Sequence, residues 1–260
     1  MRPRLAAIDL DGTLLRSDKT ISERTLAALH DVQRAGLVIA VVSARGPRGV
    51  REVVDGTELR GAAICSNGAI VIDIPEGSIR RMRTFESEVA TELVHALRER
   101  LPGVLFGVER EAFSHEPGFA AWDWTPPSGT RVDDALALLD EPATKLVVLH
   151  GGHEVEALAA VVREVAGGRA DAYISGRWVV EVSPAGVNKA AALAELCGEL
   201  GIEAADVVAF GDHLNDVPML AWAGRAVAVE NAHPDLVAVA DEVTSSNDED
   251  GVAIVLEELR

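Results

Sequence analysis

The stretch Leu5-Ala6-Ala7-Ile8-Asp9-Leu10-Asp11-Gly12-Thr13 opens as an apolar run of strand length, Leu5 to Leu10, and ends in two carboxylates and a glycine. An apolar strand without polar alternation is buried on both faces, the habit of parallel sheets flanked by helices. Ser22, a good N-cap, then opens a segment in which Leu26, Leu29 and Val32 recur at helical spacing until Gly36 closes it. Leu37 to Val42 repeats the unbroken apolar pattern, and a helix over Pro47 to Val54 and a strand over Ala62 to Cys65 continue the alternation. The spacing predicts an α/β fold with a Rossmann-like parallel sheet.

After Asn67-Gly68 the rhythm changes. Ala69 to Ile74 and Ile79 to Met82 flank Pro75-Glu76-Gly77 and read as a hairpin. The next elements expected are a helix (Ser87 to Leu101), a strand (Val104 to Val108), an aromatic loop, a helix (Val132 to Leu139), a strand (Lys145 to His150), a helix (Glu154 to Val165) and strands at Ala172 to Ile174 and Val179 to Val182. Strand-helix alternation of the first kind then resumes: helix Lys189 to Leu200, strand Val207 to Phe210, helix Val217 to Ala221, strand Ala226 to Val229, helix Pro234 to Val239 and a last helix from Val252. Residues 1–83 and 183–260 are therefore expected to form one core, with 84–182 inserted as a separate α/β unit, because insertions are tolerated at exposed loop tips.

Of 260 residues, 48% are hydrophobic and 25% charged, the balance of a globular protein. The formal net charge of -18 repels phosphate backbones and anionic lipid, which argues against nucleic acid and membrane surfaces as partners. Cys65 and Cys197 are the only thiols, too few for a disulfide framework or a thiolate zinc site, and a reducing cytoplasm suits them. The N-terminus lacks the apolar core and cleavage site of a signal peptide, and the longest apolar run, Leu37 to Val42, falls far short of the roughly 20 residues that cross a bilayer. A cytoplasmic location is expected.

In open parallel sheets ligands bind at the carboxyl ends of the strands, which is where Asp9 and Asp11 stand. Gly211-Asp212-His213-Leu214-Asn215-Asp216 follows another apolar strand in the same way. Oxygen donors of this kind suit a hard cation such as Mg²⁺, which binds through one or two carboxylates plus a substrate phosphate. Compensating positive charge and donors would come from Lys189, at a helix start, and Ser43, at the end of the second strand.

These four segments, in this order, resemble the four motifs of the haloacid dehalogenase superfamily of phosphohydrolases, and the inserted unit resembles the α/β cap of its Cof-type, sugar-phosphatase-like branch. The resemblance spans essentially the whole chain. It implies Asp9 as the nucleophile that forms an aspartyl-phosphate and Asp11 as the group that protonates the leaving oxygen and later activates water. It further implies Ser43, Ala44, Lys189 and Asn215 at the phosphate, Mg²⁺ held by Asp9, Asp212 and the main-chain oxygen of Asp11, and Thr13 and Asp216 in support. Arg45 and Asn67 are candidate substrate contacts. The second motif here is Ser43-Ala44-Arg45, where this branch more often has Thr-Gly-Arg; the hydroxyl is kept, and Ala44 adds a Cβ beside the phosphate.

Blander readings stand beside some of these. Trp122 and Trp124, bracketing Asp123, would form a substrate-facing lip or, more simply, aromatic packing. His213 is expected in a supporting or solvent-facing role, and Asp248-Glu249-Asp250 as a solvated cluster favouring the last helix's dipole. The function expected is a Mg²⁺-dependent phosphatase of a small phosphorylated metabolite, with sugar phosphates as one class. The alternatives are a phosphosugar mutase of the phosphomannomutase type, which would return the phosphoryl group to a sugar, and a catalytically silent phosphometabolite-binding protein.

Overall fold

The computed structural model describes residues 2–119, 130–175 and 178–260. The chain divides into two compact units, Met1–Arg81 with Asn188–Arg260, and Met82–Val187.

The first unit is built on an eight-stranded sheet. Its strands are β1 (Leu5–Asp9), β2 (Val38–Val42), β3 (Gly61–Cys65), β4 (Ile70–Ile74), β5 (Ile79–Met82), β11 (Val207–Gly211), β12 (Arg225–Val229) and β13 (Glu242–Thr244), in the order β13-β12-β11-β1-β2-β3-β4-β5. Pairing is parallel from β13 to β3 and turns antiparallel where β4 folds back on β3. Leu5, Ala7, Ala40, Val42 and Ala209 meet Leu193 and Leu196 of α6 (Lys189–Leu200) and Met219 and Leu220 of α7 (Val217–Trp222). The alternate residues Ala6, Ile8, Ile39 and Val41 point the other way and are just as buried, which is why these strands show no polar alternation.

Local chemistry marks the helix ends. The Ser22 hydroxyl accepts from Thr25 N at 3.0 Å to start α1 (Glu23–Arg34), and Asn188 Oδ1 accepts from Ala191 N at 2.9 Å to start α6. α2 (Pro47–Val54) begins with proline in its first turn. The helix expected over Pro234 to Val239 stops at Val237 (α8), and the last, α9, runs Gly251–Glu258. β13 escaped the sequence reading, because a three-residue edge strand with Val243 exposed carries no apolar run.

The second unit holds a five-stranded antiparallel sheet, β7-β6-β8-β10-β9, from β6 (Leu105–Glu109), β7 (Phe113–His115), β8 (Lys145–Leu149), β9 (Ala170–Ser175) and β10 (Val179–Pro184). One face packs Phe106, Val108, Leu146, Val148, Val180 and Val182 against α3 (Ser87–Arg100) and α5 (Val155–Ala166). On the opposite face Lys145 is buried, with its ammonium 3.0 Å from Glu181 and 3.4 Å from Glu109. Two expectations fail here. The helix expected over Val132 to Leu139 shrinks to α4 (Ala135–Leu138), since Val132 bridges to His115 and Asp134 takes the N-cap, accepting from Leu136 N at 2.9 Å. The aromatic loop contains a strand, β7. Trp122 and Trp124, the suggested lip, lie outside the described residues.

Candidate active site

β1 carries Asp9 to the carboxyl edge of the sheet, where the chain turns back on itself with Leu14 N donating to Asp9 O at 3.1 Å and Leu15 N to Leu10 O at 2.8 Å. Its neighbours β2 and β11 deliver Ser43 and Asp212 to the same edge. Sheet order alone thus gathers three of the four segments, and the first turn of α6 supplies the fourth.

Lys189, 2% exposed, is the hub. Its ammonium donates to Asp9 Oδ1 and to Asp216 Oδ1, each at 2.6 Å. Asp216 Oδ2 accepts from the main-chain N–H of Asp212 (3.2 Å) and of His213 (3.1 Å). The fully buried Asp216 therefore has both oxygens committed to the lysine and the loop. Thr13 Oγ1 donates to Asp212 Oδ1 at 3.2 Å. Among the described residues Asp9, Asp212 and Asp216 form a group of three ligands whose oxygens lie within 4.8 Å of one another.

Three carboxylates against one ammonium leave excess negative charge, which shifts the proton affinities of the group. Burial, reinforced by Asp216, pushes the Asp9 carboxyl well above the usual carboxylate range, and the same two causes push Asp212 up to about 6. Burial opposes the Lys189 charge, but Asp216 and Asp9 outweigh it and raise the lysine above its ordinary value. An all-oxygen cluster this rich in anionic charge fits a hard divalent cation, with Asp9 and Asp212 placed to meet it and Asp216 behind them.

Asp11 stands apart from this cluster. Its carboxylate accepts a two-point contact from Arg45 (Nε to Oδ2 2.6 Å, Nη2 to Oδ1 2.7 Å) and a bond from Lys19 Nζ at 3.0 Å. Burial would raise its pKa, but the guanidinium and the lysine override that and hold it below the usual range. The second segment and the Asn67 turn are knitted together: Arg45 N donates to Ser43 Oγ at 3.1 Å, Asn67 N to Ser43 O at 3.0 Å, and Asn215 Nδ2 to Asn67 Oδ1 at 3.0 Å. Asn67 and Asn215, named separately in the sequence reading, therefore touch. His213 is exposed, in the solvent-facing position expected, and partial loss of water around its ring lowers its pKa.

Two residues without any sequence signal shape the loop after β1. Asn231 Nδ2 donates to Gly12 O at 2.8 Å, Asn231 Oδ1 accepts from Asn247 N at 3.0 Å, and Asn247 Nδ2 donates to Leu15 O at 2.8 Å. The acidic run beside them is no mere solvated cluster: Asp248 accepts from Ser17 N (2.8 Å) and Oγ (2.6 Å), and Asp250 accepts from Arg16 at 2.8 Å. No segment pattern announces such contacts, because all but the Asn231–Asn247 bond join residues more than two hundred positions apart.

Gly12 sits at φ +86, and a Cβ there would lie 2.3 Å from Asp212 Oδ2. Gly12→Ala is expected to push Asp212 out of the cluster and weaken Mg²⁺ binding by about tenfold or more. Isothermal titration of the variant with MgCl₂ checks this, and wild-type affinity would refute it. Gly68, at φ +106, is equally constrained, with Asn188 O only 2.4 Å from a built Cβ.

The haloacid dehalogenase-like hydrolase family model matches residues 6–256. The chain is 31% identical to the 5-amino-6-(5-phospho-D-ribitylamino)uracil phosphatase YitU of Bacillus subtilis (strain 168), over 99% of this chain and 97% of that protein. It is 30% identical to the HMP-PP phosphatase of Cronobacter sakazakii, over 90% of this chain and 87% of that one. Among solved structures, TM0651 from Thermotoga maritima superimposes with a TM-score of 0.83 at 26% identity, covering 98% of this chain and 97% of that one. With its segments gathered at one sheet edge and these relatives beside it, the chain belongs to the haloacid dehalogenase-like hydrolases and is a phosphatase among them.

Proposed function

We propose that this protein is a Mg²⁺-dependent phosphatase of a small phosphorylated metabolite, working through an aspartyl-phosphate on Asp9. The observation that carries the reading is the buried Lys189 ammonium clasped between Asp9 and Asp216 at 2.6 Å each, beside Asp212. A bound divalent ion supplies Lewis acidity and offsets the charge of the incoming phosphoryl group. Asp9 and Asp212 would hold it, with the main-chain oxygen of Asp11.

The chain's own groups do the rest. An Asp9 oxygen forms a bond to phosphorus as the ester P–O bond breaks, and the departing oxygen takes its proton from Asp11. Water then bonds to phosphorus, the Asp9–phosphorus bond breaks with its electron pair returning to the carboxylate, and the water's proton passes to Asp11. Ser43 and Lys189 hold phosphoryl oxygens, joined by Asn215 and the main chain at Ala44.

The relatives' names direct the substrate screen to phosphates of pyrimidine derivatives and ribityl compounds, alongside sugar phosphates. Orthophosphate release dependent on Mg²⁺, abolished by EDTA and restored by the metal, is the expected result. No release across the panel would overturn the reading, and so would isomerised sugar phosphate without free phosphate.

The titration of the cluster yields a second outcome. In the metal-free protein the folded-state pKa of Asp212 lies near 6, above its unfolded value, so the folded state binds the extra proton and this group's stabilisation fades as pH rises through that window. The ion takes the proton's place, so millimolar Mg²⁺ should raise Tm more at pH about 7.5 than at pH about 5. Equal or reversed shifts would count against the metal cluster.

A further inference from the structure

Arg45 entered as a candidate substrate contact, yet its guanidinium is occupied within the protein. Nε and Nη2 take both oxygens of Asp11 at 2.6 and 2.7 Å, and Nη1 donates to Gly49 O at 3.2 Å. The residue's main chain is held as firmly, with its N–H on Ser43 Oγ (3.1 Å) and its carbonyl accepting from Ser66 N (2.8 Å). The planar fork thus has a fixed base, an anchor in the first turn of α2 and one two-pronged partner. A guanidinium matched at both prongs to a carboxylate sets the plane of that carboxylate, which a single point charge cannot do. Lys19, on the loop after β1, adds a third bond at 3.0 Å to one of the same oxygens. Asp11 itself has a 39% exposed side chain and is joined to Asp9 only through the turn, so nothing in β1 fixes its rotamer.

We infer that Arg45 is the positioning residue of Asp11, orienting its carboxylate for proton transfer, and is not a ligand of the substrate phosphate. This rests on the phosphatase reading above. It separates two chemical situations. An alkyl phosphate needs a proton delivered as its ester bond breaks, whereas p-nitrophenyl phosphate expels a stable anion unaided; both need a proton accepted when water attacks the aspartyl-phosphate. Misplacing Asp11 therefore slows both halves for an alkyl phosphate but only the second for the aryl one.

The test compares Arg45→Gln and Arg45→Lys with wild type, with Asp11→Asn as reference. For Arg45→Gln on p-nitrophenyl phosphate, kcat and KM should fall together by about tenfold or more, leaving kcat/KM within about threefold of wild type. The first turnover should give a burst of p-nitrophenolate matching the enzyme concentration. On a sugar phosphate kcat/KM itself should fall by about tenfold or more, and Arg45→Lys, which keeps the charge without the fork, should lie between. A raised KM at unchanged kcat would make Arg45 a phosphate ligand and overturn the inference, as would equal losses of kcat/KM on both substrates. Wild type that releases no phosphate from p-nitrophenyl phosphate, the sugar phosphate or the rest of the panel would sink the phosphatase reading and this with it. Wild-type turnover that Asp9→Asn removes would leave the Arg45 variants judging the inference alone.

Discussion

Asp9→Asn should cut orthophosphate release by on the order of ten-thousandfold or more while leaving the metal-free protein at least as stable as wild type. The two halves of this result have one cause. Asp9 is buried beside Asp216 and near Asp212, and its raised pKa states that the folded protein holds the ionised form at a cost. An amide keeps the shape and removes the repelled charge, and Lys189 keeps Asp216 as its partner at 2.6 Å. The same amide is too poor a nucleophile to attack phosphorus. Thermal melts beside a phosphate-release assay check both halves, and full turnover by the variant would refute the nucleophile.

Lys189→Met should also lose activity, but with the metal-free fold badly weakened. It leaves the Asp9, Asp212 and Asp216 carboxylates together without their ammonium, and stripping one partner from a buried ion pair costs about 3–5 kcal/mol. In a chain of this length that is about 10 °C in Tm. Mg²⁺ should return part of the loss, and so should adding Asp216→Asn, because each removes unpaired negative charge. A variant melting with wild type, with or without Mg²⁺, would show that the lysine does not neutralise the cluster.

The legible part of this molecule was what local pattern encodes. Unbroken apolar runs gave β1, β2 and β11, and with their order in a parallel sheet came the convergence of Asp9, Ser43 and Asp212 on one edge. Asp216 was placed in a supporting position, and the structure puts it under Lys189. What stayed hidden was long-range side-chain geometry. Arg45 shares a segment with Ser43, and nothing in that segment says its fork closes on Asp11, thirty-four residues away. Asn231 and Asn247 sit in loops where asparagine is commonplace. β7 and β13 escaped for a different reason, being three-residue edge strands too short to display a period.

The buried Lys145 has a consequence for how its sheet finds its pairing. Glu109 on β6 lies opposite Lys145 on β8, and Glu181 on β10 reaches the same ammonium. Sliding either neighbour by one position would flip its glutamate to the helix-packed face and strand a charge among Phe106, Val108 and Leu146. Valine-rich strands alone would tolerate several alignments; this ion triplet works like the wards of a lock, admitting one.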